Sequence, residues 1–261
     1  MKKLLLALLV LSSCNINAQQ KTAIVYDDNA QVRKVANFNA IRVSSAIDLY
    51  LTQSTTNKVA VSASSDEIRD RIITVVEGGV LIIRLGENGT WFNWKKWGNY
   101  KTKAYVSIKD IDAITASGAS DVHLVNIIES PKIRIKLTGA SDLKGDISGG
   151  TIIYDISGAS DCKSSVAANT IAITGDGASK IELAGRVDDL SVVISGASDA
   201  KLFNLNAKGA ILKSSGASSI QATVTELLKA NSSGASSIDY KGNPNVKESN
   251  TFGASNIRHK N

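Results

Sequence analysis

The tripeptide Gly-Ala-Ser occurs eight times in this 261-residue chain, with its glycine at positions 118, 139, 158, 177, 196, 216, 234 and 253. The successive intervals are 21, 19, 19, 19, 20, 18 and 19 residues, and these eight glycines are drawn from only 20 in the whole protein. Self-similarity at a short fixed period marks an architecture in which each unit stacks on the next.

The residues around each glycine explain the period. Apolar side chains stand two, four and six positions before it: Ile133, Ile135 and Leu137 before Gly139, Ile152, Tyr154 and Ile156 before Gly158, and Leu190, Val192 and Ile194 before Gly196. Others follow it at four and six positions, as with Val122 and Leu124, Ile181 and Leu183, and Ala200 and Leu202. A spacing of two is the period of a strand with one buried face. Each repeat therefore reads as a strand, a Gly-Ala-Ser corner, a second short strand and a polar return such as Asp146 to Gly150, Asn169-Thr170 or Asn243-Pro244-Asn245.

Such a unit has no helix with which to cross back, so its neighbour must lie directly on it as the next coil of a parallel β-helix. Five inward apolar side chains do not offset the conformational entropy of ordering a whole coil, and several stacked coils are needed. At about 4.8 Å per coil, eight corners make a column roughly 34 Å long. A hexapeptide left-handed solenoid is excluded, because it requires multiples of six residues. At the corner, glycine supplies a backbone angle or close approach that a β-carbon would block. Alanine is expected to fill a narrow inner corner, and serine to bond a neighbouring backbone group.

The repeated SGASD at Ser117 to Asp121 and Ser157 to Asp161 resembles the head GIN domain family of auto-transporter adhesins. So does the entry Phe38-Asn39-Ala40-Ile41-Arg42-Val43 with Ile47-Asp48-Leu49-Tyr50-Leu51-Thr52-Gln53. The resemblance covers roughly residues 37 to 255. It implies an all-β protein, a single-stranded right-handed parallel β-helix, an extracytoplasmic location, an adhesive role and no assigned catalytic residues.

Residues 37–110 lack the tripeptide but keep the alternation, as in Ile47, Leu49 and Leu51 or Leu81, Ile83 and Leu85. They read as wider coils continuous with the repeat array of 111–257, and Ser65 to Asp70 carries the N-cap chemistry of one helical turn. At the C-terminal end the inward positions become Lys247, Ser249 and Thr251, which protects an open edge from runaway pairing. Residues 19–36 form a short N-terminal segment. Residues 1–18 pair Lys2-Lys3 with the apolar run Leu4 to Leu11, too short to span a bilayer, and read as an export signal. Two processing sites are encoded: one after Ala18, and a lipobox-like Leu11-Ser12-Ser13-Cys14 in which Cys14 would carry a lipid anchor, the only membrane attachment expected. The mature chain is placed in the periplasm, on the outer membrane or cell surface, or in the medium.

Thirty Lys and Arg against 24 Asp and Glu give a formal charge of +6, with no basic cluster beyond Lys95-Lys96, so nucleic acid is not an expected partner. Two His and two Cys leave little for histidine catalysis, a Cys/His zinc site or a disulfide, and no cofactor is expected.

One segment departs from the rest. Trp91, Phe92, Trp94, Lys95, Lys96, Trp97 and Tyr100 crowd all three tryptophans into a predicted loop at 87–102, a composition suited to a sugar ring or a protein surface, or to covering an open side of the column. A second candidate is the file Asp121, Asp142 and Asp161, brought together by stacking, which reads as turn chemistry with a cation site as the alternative. Cys162 takes an inward position held elsewhere by Val122, Leu143, Ile181 and Ile220, and His123 is expected to face solvent without a partner. The function expected is non-enzymatic: an exported scaffold for adhesion or ligand binding to a surface glycan or protein. Alternatives are a polysaccharide-acting enzyme or a purely structural envelope protein. The oligomeric state is not encoded legibly.

Overall fold

Register explains the period. A computed structural model describes residues 27–86 and 101–261. The long strands β11 (Leu143–Ile156), β12 (Asp161–Gly175), β13 (Lys180–Ile194), β14 (Asp199–Ser214) and β15 (Ser219–Gly234) pair in parallel, each with the strand one repeat later. They are preceded by β8 (Ala113–Ala116), β9 (Val122–Leu124) and β10 (Ile128–Leu137), and followed by β16 (Ser237–Lys241), β17 (Asn245–Gly253) and β18 (Asn256–His259). One file of core residues runs through the column: Val122, Leu143, Cys162, Ile181, Ala200, Ile220, Ile238 and Ile257, each in register with the next. This is the parallel β-solenoid expected, with Cys162 as one of its inward side chains.

Each coil has two legs. In the first, Cys162, Ser164 and Val166 are buried; in the second, Ile171, Ile173 and Gly175 are. The inward positions change from even to odd numbers across the bend at Asn169, a position that the register skips. The residues Asp146 to Gly150 expected as a return are instead the middle of β11, with the same bend at Gly150.

The Gly-Ala-Ser corners lie over one another. All eight glycines have φ between +70° and +80°, a region that L side chains enter only at a cost of about 1–2 kcal/mol. Space forbids a side chain as well: a β-carbon on Gly177 would stand 2.7 Å from the carbonyl oxygen of Gly158. That closeness serves the next residue, since the Ala178 amide donates to the same oxygen at 2.8 Å. The alanine is exposed and the serine is the inward residue, the reverse of the expectation that alanine fills the inner corner. Ser120, Ser141, Ser160, Ser179 and Ser198 are buried, and the hydroxyls of Ser120, Ser141, Ser160 and Ser198 accept from backbone amides one coil away, as in Ser141 N to Ser160 Oγ at 3.2 Å and Ser179 N to Ser198 Oγ at 3.4 Å. A buried amide must be paired, and serine does this where alanine cannot.

The N-terminal half differs from a simple continuation of coils. β2 (Ala40–Val43) and β3 (Ile47–Gln53) stack on β8 and β9, so they form a true coil. Its corner is Ser44-Ser45-Ala46, where Ser45 and Ala46 adopt φ of 68° and 57° without glycine. β6 (Val80–Leu85) and β7 (Thr102–Ile108) add one further layer on β2 and β3. Beyond them the pairing turns antiparallel: β5 (Ile72–Glu77) folds back on β6 through Gly78-Gly79, β4 (Lys58–Ala63) on β7, and β1 (Gln31–Arg33) on β4. Alternation cannot distinguish the two pairings, whereas only an antiparallel pair closes through a two-residue turn. These strands cover the first coil's backbone edge. The helical turn expected near 65–70 is α1 (Asp66–Arg69), capped by the Ser65 hydroxyl, which accepts from Ile68 N at 3.4 Å.

At the C-terminal end the register puts Ser249 against Ala230 and Thr251 against Ser232, so polar residues do replace inward ones there. Lys247 is the extra residue of a bulge. Phe252, 67% exposed, lies on this last coil.

Candidate functional site

The candidate residues Cys14, Trp91, Phe92, Trp94, Lys95, Lys96, Trp97 and Tyr100 lie outside the described residues. Their flanks are informative. Val43 pairs with Ile83 and Ile47 with Thr102, so three residues join the legs of one coil while residues 84–101 join those of the next. The aromatic segment is therefore inserted at a corner position, and the Gly86 amide, donating to Arg71 O at 2.9 Å, fixes where the chain leaves the column.

The three aspartates do stack. Asp142 is in file with Asp121 through the Val122–Leu143 pair, and the Asp161 amide donates to Asp142 Oδ1 at 3.3 Å. Sequence reasoning missed a fourth member, Asp48, whose neighbour Leu49 pairs with Val122 and whose other side meets Lys103. Asp48 belongs to a different repeat type, and only the register reveals it. Burial, followed by repulsion from Asp121, pushes its carboxyl above the usual range. Among the described residues no group of three or more His, Cys, Asp and Glu side chains is arranged to hold a metal ion. After Asp161 the file continues as Lys180, Asp199 and Ser219, a mixed polar face.

The neighbouring file begins with rings. Tyr105 stacks on Tyr50 at 5.3 Å and Tyr50 on His123 at 4.9 Å, so His123 has an aromatic partner that its strand position did not reveal. The Tyr105 hydroxyl donates to Asp27 Oδ2 at 2.9 Å, and Ser62 and Lys103 reach the same carboxylate at 2.6 and 3.3 Å. Burial raises the Asp27 carboxyl, but those hydrogen bonds outweigh it and hold it below the usual value. This cluster ties the N-terminal segment to the first layers. Further along the file Lys163 pairs with Glu182 at 2.8 Å and Arg258 with Asp239 at 2.8 Å. Cys162 is buried and its thiol is pushed up by desolvation, so it is no nucleophile in the folded column. Among the described residues no helix is long and apolar enough to cross a membrane.

Stacked corners and files of polar side chains along the legs define a parallel β-solenoid. The chain belongs to the family described as "Putative auto-transporter adhesin, head GIN domain", whose model matches residues 37–244. Solved structures share the fold. A putative adhesin from Parabacteroides merdae is 19% identical, with 89% of this chain and 95% of that one covered and a TM-score of 0.80. A putative lipid binding protein from Parabacteroides distasonis is 21% identical, with 90% and 98% covered and a TM-score of 0.78. A putative adhesin from the latter organism is 21% identical, with 88% and 96% covered and a TM-score of 0.76. No curated protein matches the chain in sequence.

Proposed function

We propose that the chain is an exported, non-enzymatic scaffold of the cell surface that binds a ligand through its aromatic segment. The observation that carries this reading is the connection between Leu85 and Thr102: eight corners hold the Gly-Ala-Ser tripeptide and a ninth is Ser44-Ser45-Ala46, whereas the stretch that joins these two legs holds every tryptophan of the protein. Tryptophan and tyrosine offer large, stiff contact area with one polar edge, which suits a glycan or a protein surface. Membership of an adhesin family agrees with this role. Whole-cell binding and a glycan array, run with the purified chain and with Trp94→Ala, test it. Binding that falls at least about tenfold in the variant supports the reading; equal binding of both proteins overturns it. Labelled palmitate, fed to cells making the wild type or Cys14→Ser, decides whether the chain is anchored at Cys14 or released after Ala18.

A further inference from the structure

Two exposed backbone edges of the column are blunted. β1 offers only three residues, and the last coil, β17 and β18, is rich in polar and charged residues and interrupted by the bulge at Lys247. Short length, charge and bulges are the usual means by which a sheet edge is kept from pairing with another chain. β5 has none of them. It runs six residues, Ile72-Ile73-Thr74-Val75-Val76-Glu77, in unbroken register with β6, and among the described residues no strand pairs with its other side.

Backbone geometry decides which groups of β5 face outward. The Gly86 amide donates to Arg71 O at 2.9 Å, so odd-numbered residues turn their backbone groups toward β6, while Ile72, Thr74 and Val76 turn theirs away. Side chains alternate as well. Ile72 and Val76 pack on the core, whereas Ile73, Val75 and Glu77 lie on the outer face, where Val75 is in register with Ile82 and Glu77 with Val80. Val75 is 36% exposed. The strand thus combines an open edge with an apolar outer face.

We infer that this edge is an interface between two copies of the chain, joined antiparallel through β5 about a two-fold axis at Thr74. Only a register that sets even-numbered residues opposite even-numbered ones brings the outward backbone groups face to face, and centring it on Thr74 pairs Ile72 with Val76 and Thr74 with itself. It uses the whole strand. The same register sets Ile73 against Val75 on the outer face, apolar against apolar, and Arg71 against Glu77 at both ends. These are the only charged residues between positions 71 and 77, and their opposite signs suit antiparallel pairing of the strand with itself. An in-register parallel pairing would set like charges side by side. A two-fold contact is isologous and closes at the dimer, so the edge is consumed rather than passed on to a third copy. A strand from an unrelated protein would gain the backbone bonds, but the match of both ends and the centre is specific to a second copy. The inference is independent of the role proposed for the aromatic segment.

The test is sedimentation velocity of the purified chain over a concentration series, in a Cys14→Ser background so that the buried Cys162 is the only native thiol. The expected result is a dimer with a Kd of about 10 μM or tighter, weakened about tenfold or more by Thr74→Pro. Proline at this position removes a donor that points away from β6, so the β5–β6 ladder and the melting temperature are kept. Val75→Lys, which sets a cation against Ile73 of the second copy, should weaken the dimer by a similar factor and serves where Thr74→Pro does not fold. Mild oxidation should crosslink Thr74→Cys across the two-fold axis, where paired Cα atoms stand about 5.5 Å apart, within disulfide reach. Val32→Cys, exposed on the β1 edge, should stay uncrosslinked. The inference is overturned if the chain is monomeric at about 100 μM, if neither Thr74→Pro nor Val75→Lys weakens a dimer, or if Val32→Cys crosslinks in place of Thr74→Cys. A dimer lost in Trp94→Ala but kept in Thr74→Pro would also overturn it, by placing the contact in the aromatic segment.

Discussion

Gly158 lies directly over Gly139, so close that a β-carbon on the later residue would overlap the carbonyl oxygen of the earlier one. Steric exclusion and the left-handed φ of 80° act together here. Gly158→Val is expected to cost about 3 kcal/mol or more, as buried strain and backbone displacement add. Lys163→Ala, which removes an exposed ion pair on the same coil, should leave the melting temperature unchanged. Thermal unfolding of the two variants side by side checks this, and equal losses would contradict the stacked-corner account.

The serine of each tripeptide is the inward residue. Ser160→Ala leaves the buried Ser141 amide without its acceptor at 3.2 Å, a loss of about 1–3 kcal/mol. Its exposed neighbour tolerates change: Ala159→Ser should be silent. Urea unfolding midpoints distinguish them, and a silent Ser160→Ala would show that the amide finds another partner.

Asp48 makes stability depend on pH. Burial and the Asp121 carboxylate raise its folded value, against the opposing pull of His123, Lys103 and Lys101. Between the usual Asp value and the raised one the native state holds a proton that the unfolded chain has released. Stability contributed by this residue therefore falls as pH rises through that window and stays lost above it. Asp48→Asn should raise the melting temperature at pH 7 and lose that advantage below the usual Asp value. The same gain at both pH values would show that the carboxylate is not responsible.

The Cys162 thiol is buried and its ionisation is disfavoured by desolvation. A thiol-specific disulfide reagent should react with it only as fast as the column opens. Cys162→Val keeps the shape of the site and should cost less than about 1.5 kcal/mol. Rapid modification of the native protein would place the thiol on the surface instead.

The repeat region was legible because glycine and aliphatic spacing act at every coil. Val122, Leu143, Cys162, Ile181 and Ile220 are one core file in sequence and in space. What escaped detection depends on register. Ser45 and Ala46 form a corner without glycine, so no tripeptide announces it. Val59 and Val61 are spaced in β4 as they would be in a parallel strand, and nothing in the sequence of residues 72–77 marks the direction of its pairing. Tyr50 and His123 are 73 positions apart and meet only through the pairing of β3 with β9. The register shifts at Glu182/Gly185, Leu202/Asn206 and Ala207/Gly209 show in the sequence as an interval of 20 followed by one of 18. The alanine, expected to fill the inner corner because it is apolar, is exposed, while the serine bonds a neighbouring backbone group as expected and does so from the inward position.

Among the described residues each repeat coil is hydrogen-bonded only to the coils above and below it, and β17 and β18 pair along one edge alone. Tension applied at residues 256–259 would thus break the bonds of a single rung at a time, shedding coils in sequence at modest, repeated force rather than rupturing the molecule at once. Pulled from this end, the column would lengthen coil by coil while the capped end stays folded.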